Sequence, residues 1–311
     1  MSILISGSVA FDTIIQTVGD FRSQDASPDH DLHLSLFSPL IRKEYGGTAA
    51  NIAYSLALLG NTPHVIASVG DDATDYLLRM KEMGIYTELI QTLPGSYCPQ
   101  AYIIRDAWNG QINTFHPGAM SASWELTHGN IDFDFVIVAP DSKMWMIRRI
   151  NECTKKGSFT IFDPGQAMGL FTAEELRDMV AKSDITIMNE PEKVQFQTMT
   201  GIDFVDISEI NGHTAIITLA ERGAEIYSNW SRVLIPAIYV DTIIDATGCG
   251  DAFRAGLLFG LSHGWTLEKS IKLGNILGGI KLGFMGWQTH ILDRTHINTL
   301  GQKEFGEKFF D

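Results

Sequence analysis

The stretch DATGCGDAFRAGLLFG (residues 245–260) sets a carboxylate beside a glycine-rich turn. Apolar residues after the turn recur at helical spacing, so Gly248, Cys249 and Gly250 are expected to lead into a helix. Backbone N–H groups at a helix start attract phosphate, whereas the carboxylate of Asp251 repels it. The carboxylate and the phosphate-binding N–H groups can serve one reaction, phosphoryl transfer. Asp251 would accept a proton from the attacking hydroxyl, and the N–H groups of Cys249 and Gly250 would stabilise the phosphoryl group during transfer. Asp251 is therefore a candidate general base; a tight turn or glycine cap is the structural alternative.

Other polar residues suggest binding, and each has a structural alternative. Asp12 follows a first strand and is either a turn cap or an acceptor for vicinal sugar hydroxyls. Asn51 begins a helix pattern and is either a cap or a ligand donor. In NEPE, Asn189 and Glu192 form a normal helix start with proline in the first turn, or hold a hydrated Mg²⁺. Gln166, in DPGQ, lies in a turn or presents its amide to a base edge.

Composition excludes several classes of protein. The 311 residues are 45% hydrophobic and carry a net charge of −14, which argues against binding a nucleic-acid backbone. Three widely spaced cysteines form no metal or disulfide pattern, so we expect a reducing cytoplasm. The apolar runs are too short to span a membrane. The start, MSILISGSVAFDTII, is interpreted as a first β-strand rather than a signal peptide.

Strand and helix patterns alternate along the chain, which predicts a mostly parallel sheet with helices on both faces. Ligands of such sheets bind beyond the carboxyl ends of the strands. The relevant ends are expected at Ser6–Ser8, Asp163–Gln166, Asn189–Glu192 and Thr218–Gly223.

Two segments break this alternation. Residues 11–45 lack a long helix pattern, and residues 97–116 form a hairpin pattern with Asn109-Gly110 as the turn. Together they predict a small β-lid hinged at Gly46-Gly47; the alternative is a surface loop plus a hairpin. The α/β nucleotide-binding core then comprises residues 1–10, 46–96 and 117–311.

Across essentially the whole chain these motifs resemble the ribokinase-like (PfkB) family of carbohydrate and nucleoside kinases. DATGCGDAFRAG is similar to the family's C-terminal signature, YGGTAANIAYSLALLG to its N-terminal one, and NEPE to its Asn-x-x-Glu motif. Within the family, GSVAFD, LHLSLFSPLIRKEYGG, FHPGAM and DPGQ resemble bacterial adenosine and nucleoside kinases.

The resemblance implies a Rossmann-like sheet with a β-lid and ATP-dependent phosphorylation of a hydroxymethyl group. It makes Asp251 the base and Gly248, Cys249 and Gly250 the anion hole. Expected substrate contacts are Ser8, Asp12, Gly47, Asn51, Phe115, Met120 and Gln166, although Phe115 is also interpreted as lid packing. Expected nucleotide-side residues are Asn189, Glu192, Thr218, Gly223 and Asn275. Glu192 would hold Mg²⁺ through water, and Asp245 and Thr247 match a monovalent cation (K⁺) site found in some members.

The resulting hypothesis is an ATP-dependent kinase acting on the 5′-hydroxyl of a purine nucleoside, favouring adenosine, in purine salvage. Ala246 and Cys249 depart from the family signature but are small, and Ala167 replaces a second glutamine, which weakens strict adenosine preference. The alternatives are a ribokinase- or fructokinase-type sugar kinase and a non-catalytic nucleotide-binding regulator. No nucleic-acid or membrane partner is expected; a homodimer is left open.

Overall fold

The computed structural model describes residues 1–18, 37–108, 110–121, 132–207 and 212–311, which form two β-sheets. The strands of the large sheet are β1 (Ile3–Ser6), β4 (His64–Val69), β5 (Tyr86–Thr92), β8 (Phe135–Val138), β9 (Phe159–Phe162), β10 (Ile185–Asn189), β11 (Thr214–Thr218), β12 (Ala224–Ser228) and β13 (Ser231–Ile235). Their spatial order is β13-β12-β11-β10-β9-β8-β1-β4-β5. The strands from β11 to β5 run parallel, whereas β12 pairs antiparallel with both β11 and β13.

Helices pack on both faces of this sheet, each over its own apolar core. One face carries α1 (Thr48–Leu58), α2 (Thr74–Glu82), α7 (Cys249–Ser262), α8 (Leu267–Lys281) and α9 (Arg294–Phe305). The other carries α3 (Lys143–Lys156), α4 (Ala173–Lys182), α5 (Glu190–Thr200) and the short α6 (Phe204–Ile207). In the ranges described, no helix is long and apolar enough to cross a membrane.

The order of the strands reverses next to β1. The chain proceeds from β1 through β4 to β5 on one side, and from β8 through β9 to β11 on the other. A crevice for ligands opens at such a reversal, beyond the carboxyl ends of the strands. Here the segment after β1 meets the segment after β8, and the N–H group of Ser8 donates to the carbonyl of Pro140 at 3.2 Å.

The small sheet joins the two segments that interrupt the α/β alternation. It contains β2 (Ala10–Gln16), β3 (Leu40–Gly46), β6 (Gln100–Arg105) and β7 (Gln111–His116), in the order β3-β2-β6-β7. Only the β2–β6 pairing is parallel. The predicted fold, a mostly parallel sheet flanked by helices with a separate small β-sheet, is confirmed.

One local prediction is wrong. The N-terminal run forms two strands rather than one, because the chain leaves the large sheet after Ser6 and enters the small sheet at Ala10. Gly7 allows this crossing, since a Cβ there would lie 3.0 Å from the Cβ of Ala139. Asn109 of the predicted hairpin turn and residues 32–36 of LHLSLF lie outside the described residues.

Candidate active site

The glycine-rich turn leads into α7, as the sequence predicts. Gly248 caps the helix with φ of 78°, an angle that glycine adopts at little cost. A side chain there would also crowd Trp287, because a Cβ would lie 3.3 Å from the Cε3 of its ring. The N–H group of Cys249 donates to the carbonyl of Ala246 at 3.3 Å. Of the two N–H groups predicted to bind an anion, that of Cys249 is thus already used within the turn, and that of Gly250 remains the candidate.

Asp251 lies in the first turn of α7 and is partly exposed. Its Oδ2 accepts a 2.8 Å hydrogen bond from the side-chain amide of Asn51 on α1. Burial raises the pKa of Asp251 to about 6, while Arg254 and the Asn51 hydrogen bond act in the opposite direction. Such a carboxyl group is mostly ionised at neutral pH yet binds a proton more readily than an ordinary aspartate, which suits a general base.

A chain of hydrogen bonds fixes the orientation of Asn51. Its Oδ1 accepts a 3.0 Å bond from the Nε2 of Gln288, which also donates to the hydroxyl of Tyr76 at 2.6 Å. The Tyr76 hydroxyl in turn donates to the carbonyl of Gly46, at the end of β3, at 2.8 Å. The amide nitrogen of Asn51 is thereby directed at Asp251. In this structure Asn51, expected at the substrate, orients the candidate base.

A buried ion pair connects α7 with the end of β9. The Nη2 of Arg254 donates to the Oδ1 of Asp163 at 2.8 Å, and its Nε contacts the second oxygen. The aspartate is fully buried. Arg254 also lies directly under the turn, since a Cβ at Gly250 would come within 2.7 Å of its Nη1. The sequence predicts Asp163 only as part of a strand end and does not predict its pairing with Arg254, because no local pattern connects positions so far apart.

Asp12 faces the site from the small sheet. It is 5% exposed and pairs across the strands with Glu44 of β3. Burial raises its pKa to about 7, the carboxylates of Glu44 and Asp251 add to this, and the indole of Trp287 lowers it. The electrostatic interaction with Asp251 indicates that Asp12, on β2, lies near the candidate base at the start of α7. Glu44 and Trp287 are site residues that sequence reasoning missed.

The small sheet places an aromatic ring in the same row as Asp12. Strand pairing aligns Glu44, Asp12, Ala101 and Phe115 across the four strands. Residues paired in register project from the same face of a sheet, so Phe115 shares the face of Asp12. Phe115 is 47% exposed, so packing within the small sheet leaves much of its ring accessible.

Ser8, Gly46 and Gly47 shape the floor of the cleft. The N–H groups of Ala49 and Thr48 donate to the carbonyl and hydroxyl oxygens of Ser8, at 3.1 Å each. A Cβ at Gly47, whose φ is 92°, would lie 2.6 Å from the Ser8 carbonyl oxygen. At Gly46 a Cβ would come within 2.0 Å of the Oδ2 of Asp12. Both positions therefore require glycine for close packing against Asp12 and Ser8. This packing is separate from their predicted role as a hinge.

Met120 and Gln166 lie on short 3₁₀ turns beside the large sheet. Met120 is half-buried in the turn Gly118–Ser121, and Gln166 is exposed in the turn Gly165–Leu170 that follows β9. Ala167, next to Gln166, is buried. The exposed amide is free of the core and lies at a strand end, as the sequence predicts.

The predicted nucleotide-side residues mainly shape the loops around the cleft. Asn189 and Glu192 form a reciprocal capping box at the start of α5, with two 2.8 Å hydrogen bonds. Asn275 donates its amide hydrogens to the carbonyls of Ile235 and Pro236, at 3.2 and 2.8 Å. Gly223 packs against the same residues, since a Cβ there would lie 2.1 Å from the carbonyl oxygen of Ile235.

Thr218 has a smaller structural part, since its hydroxyl donates to the carbonyl of Met188 at 3.4 Å. Asp245 fixes the turn before α7: its two carboxylate oxygens accept from the N–H groups of Thr247 at 3.0 Å and Gly286 at 2.9 Å. Burial is the largest single influence on the pKa of Asp245 and raises it. The hydrogen bonds together outweigh burial, so the pKa lies below its usual value.

A groove of about 420 Å³ opens beside α8, between that helix, α9 and residues 238–241. Its lining is mostly apolar and includes Ile238, Val240, Gly279 and Phe284. Helix α8 also packs against the glycine-rich turn, because a Cβ at Gly278, next to the groove residue Gly279, would lie 3.3 Å from the carbonyl oxygen of Cys249. An apolar site with glycines along one wall suits a flat ring.

Comparisons with known proteins agree with this arrangement. The family model described as pfkB family carbohydrate kinase matches residues 34–293. The structure of Burkholderia thailandensis nucleoside kinase in complex with inosine is similar over 99% of both chains, with 35% identity and a TM-score of 0.85.

Two curated relatives are more distant in sequence. The nucleoside kinase of Methanocaldococcus jannaschii is 29% identical over 262 residues, which cover 83% of this chain and 85% of that protein. The ATP-dependent 6-phosphofructokinase of Thermoanaerobacterium thermosaccharolyticum is 25% identical, with 83% and 84% covered. The match of the family model over most of the chain, together with the similarity in fold, shows that the chain belongs to the pfkB family of carbohydrate kinases and is a phosphotransferase with a hydroxyl acceptor.

Proposed function

We propose that the protein transfers the γ-phosphoryl group of ATP to the 5′-hydroxyl of a purine nucleoside, yielding ADP and the nucleoside 5′-monophosphate, in purine salvage. The observation that carries this proposal is the row across the small sheet. Asp12 and Phe115 share a face and are separated by one intervening strand, which spaces their backbones by about 10 Å. A ribose whose hydroxyls bind Asp12 would extend its base along this row towards the exposed ring. A free sugar has no group to place there.

The purine edge is assigned to Gln166. An amide both donates and accepts, so by rotating it serves a 6-amino or a 6-oxo purine. Ala167 beside it offers no second amide to enforce the choice. Adenosine is therefore favoured only modestly over inosine and guanosine, and the inosine complex of the 35% identical relative supports this breadth.

The nucleotide is assigned to the other side of the turn. Its adenine fits the apolar groove beside α8, and its phosphates reach the N–H group of Gly250 at the start of α7. The positive end of the helix and the nearby guanidinium of Arg254 both favour the negative charge of the phosphates.

Mg²⁺ is expected to accompany ATP. The described residues include no group of three or more His, Cys, Asp or Glu side chains that could hold a metal ion. Mg²⁺ retains several waters and uses one or two carboxylates together with substrate phosphates, so a full protein cage is not required. Glu192 fits this role, because its pKa is raised by burial and by Asp163, and a cation nearby would relieve that cost. When bound, the ion supplies charge neutralisation at the phosphates.

The chain's own residues then perform the transfer. Asp251 accepts the proton of the 5′-hydroxyl as the hydroxyl oxygen forms its bond to the γ-phosphorus. The bond between that phosphorus and the β–γ bridging oxygen breaks, and ADP leaves. The N–H group of Gly250 donates to the phosphoryl oxygens during transfer. Asp12 holds the ribose so that the 5′-hydroxyl faces Asp251.

The test is ADP production with a panel of adenosine, inosine, guanosine, 2′-deoxyadenosine, ribose and fructose. We expect the three ribonucleosides to be phosphorylated and the free sugars to be negligible. The deoxynucleoside should lose roughly tenfold to a hundredfold in kcat/KM, because a hydrogen bond to a charged group is worth about 1.5–3 kcal/mol. Faster turnover of ribose or fructose would favour the sugar kinase, and no ADP with any acceptor would favour the regulator.

A variant of the aromatic ring separates the two kinase readings. Phe115→Ala should raise KM for nucleosides about tenfold, since stacking on a base contributes about 1–3 kcal/mol, and leave KM for ATP unchanged. The matched control is Ile112→Ala, because Ile112 is also exposed on β7 but projects from the opposite face. Equal effects of both variants would contradict the role given to Phe115.

A further inference from the structure

A lysine ammonium is buried directly behind the glycine-rich turn. Lys281 ends α8 and is 0% exposed. Its Nζ donates to the carbonyl of Phe284 at 2.9 Å. Its Cε would lie 3.6 Å from a Cβ at Gly248, the residue that caps α7. The favourable interaction of a cation with a helix C-terminus explains part of this placement, but a fully buried lysine needs further partners.

Those partners lie on two loops that meet at the lysine. The N–H groups of Ile244 and Asp245 donate to the carbonyl of Leu282, at 2.8 and 3.2 Å. The carboxylate of Asp245 accepts a hydrogen bond from the N–H group of Gly286, in the loop after α8. The loop after α8 thus supplies the carbonyl that binds the ammonium, and the loop before α7 supplies a nearby carboxylate.

The charges around Lys281 come from several elements. Burial lowers its pKa, whereas Asp245, Asp251, Cys249 and Glu44 favour its charged form. In return, Lys281 lowers the pKa of Asp251, although burial has the largest influence on that group and raises it. The lysine thus acts electrostatically on the candidate base and lies against the turn.

We propose that the ammonium of Lys281 is a built-in monovalent cation: it holds the Asp245 loop and the Gly248–Gly250 turn in place for phosphoryl transfer, so the protein needs no added K⁺. A bound K⁺ ion is coordinated by carbonyl oxygens, and the Phe284 carbonyl supplies such an oxygen to the lysine. The proposal rests on the phosphate-binding role given to the turn under the proposed function. Lys281 is a positioning residue, since it acts through the backbone of the turn.

The first measurement uses the unaltered protein. Initial rates are followed by direct chromatography of ADP, with the best acceptor of the panel, in KCl, NaCl or choline chloride at equal ionic strength. We expect the rates to agree within about twofold. Strong activation by KCl over choline chloride would overturn the proposal. This outcome is independent of the acceptor, so a sugar substrate would refute the nucleoside proposal and leave the cation test valid.

The second measurement uses variants. Lys281→Ala removes the ammonium and leaves space; we expect at least a tenfold loss of kcat in choline chloride, by analogy with the cost of removing electrostatic support from a transition state, and recovery in KCl or NH₄Cl. Lys281→Met fills the space without charge and should lose activity without recovery. Lys272→Ala, on the same helix and paired with Glu307, is the control and should be unaffected.

Full activity of Lys281→Met in choline chloride would overturn the proposal. So would equal losses for the Ala variant in every salt while its thermal unfolding temperature stays that of the wild type. If both variants fail to fold, the salt series of the unaltered protein decides alone.

Discussion

Two aspartates carry the proposed chemistry, and their surroundings give them different tasks. Asp251 has an amide donor and a guanidinium nearby, and its pKa is raised only to about 6. Asp12 has two carboxylates as neighbours, and its pKa is raised to about 7. The first is ionised and ready to accept a proton at neutral pH. The second is close to half-protonated until hydroxyl groups of a substrate donate to it.

The pH profile should report Asp251. Because the base acts as the carboxylate, kcat should fall as pH drops through about 6; kcat reports the substrate complex, in which Asp12 is already bound to the ribose. The Asn51 hydrogen bond favours the ionised form, so Asn51→Ala should move this acid limb to higher pH. Asp251→Asn should cost roughly 10²–10⁴-fold in kcat and leave ATP affinity nearly unchanged. The assignment of Asp251 would be contradicted if the acid limb of Asn51→Ala fell at the same pH as in the wild type. A wild-type kcat in Asp251→Asn would also contradict it.

Asp12 should limit stability as well as permit binding. Its pKa is near 4 in the unfolded chain and about 7 in the fold, so between these values the folded state binds more protons and stability falls as pH rises. Asp12→Asn should therefore gain roughly 1–4 kcal/mol in free energy of unfolding at pH 8 and nothing at pH 4. Urea unfolding at both values checks this, with the 80% exposed Asp132 as Asp132→Asn for control. A gain that is equal at both pH values would count against it.

At the scale of elements, the ion pair between α7 and β9 holds the glycine turn against the large sheet. A buried pair costs desolvation of both ions, and breaking one side strands the other. Arg254 also supports Gly250 from beneath. The pair therefore combines a structural role with a place at the phosphate-binding turn.

These two roles can be separated. Arg254→Met should destabilise the fold by about 3–5 kcal/mol, because Asp163 is then buried without a partner. Adding Asp163→Asn should restore much of that stability, whereas kcat stays low for lack of the guanidinium at the turn. Unfolding free energies and kcat of the single and double variants test this. Recovery of wild-type kcat in the double variant would limit the arginine to a structural role.

Local patterns explain which elements the sequence predicts. Helices such as α4, with its Thr172 capping box, and buried strands such as β10 carry strong signals. The pattern does not predict β5 and β13, which lie at the sheet edges, because their side chains are largely exposed and form no continuous apolar run. Such strands are specified by their pairing partners, which lie elsewhere in the chain.

The same limit applies to the site. Asp251 and Gly248 belong to one compact motif and could be found from the sequence. Lys281, Gln288 and Trp287 act through contacts with residues that are distant in sequence. Their types carry no chemical signal until the fold brings them to the turn.

At the scale of the molecule, hydrogen bonds connect the small sheet with the base. The path runs from the carbonyl of Gly46 through Tyr76, Gln288 and Asn51 to Asp251. Its first member ends a strand of the small sheet, and its last lies on α7. A displacement of the small sheet would therefore reach the base directly.

We expect the small sheet to close as a lid when nucleoside binds, excluding water from the phosphoryl group. Amide exchange in β2 and β6 should slow at saturating nucleoside, while exchange in β12 and β13, at the far edge of the large sheet, should not change. Gln288→Leu should leave this protection intact and still shift the acid limb of Asp251, because it breaks the path. Unchanged exchange in β2 and β6 would argue against a closing lid.

The row of residues across the small sheet also divides recognition into separable parts. In the proposed binding mode, Asp12 on β2 holds the sugar and Phe115 on β7 faces the group that the sugar carries, with Ala101 of β6 between them. Substitutions on the outer strand can therefore exchange one acceptor class for another without disturbing the sugar contact or the transfer chemistry. A scaffold built in this way can diversify its substrates in small steps, each leaving a working kinase.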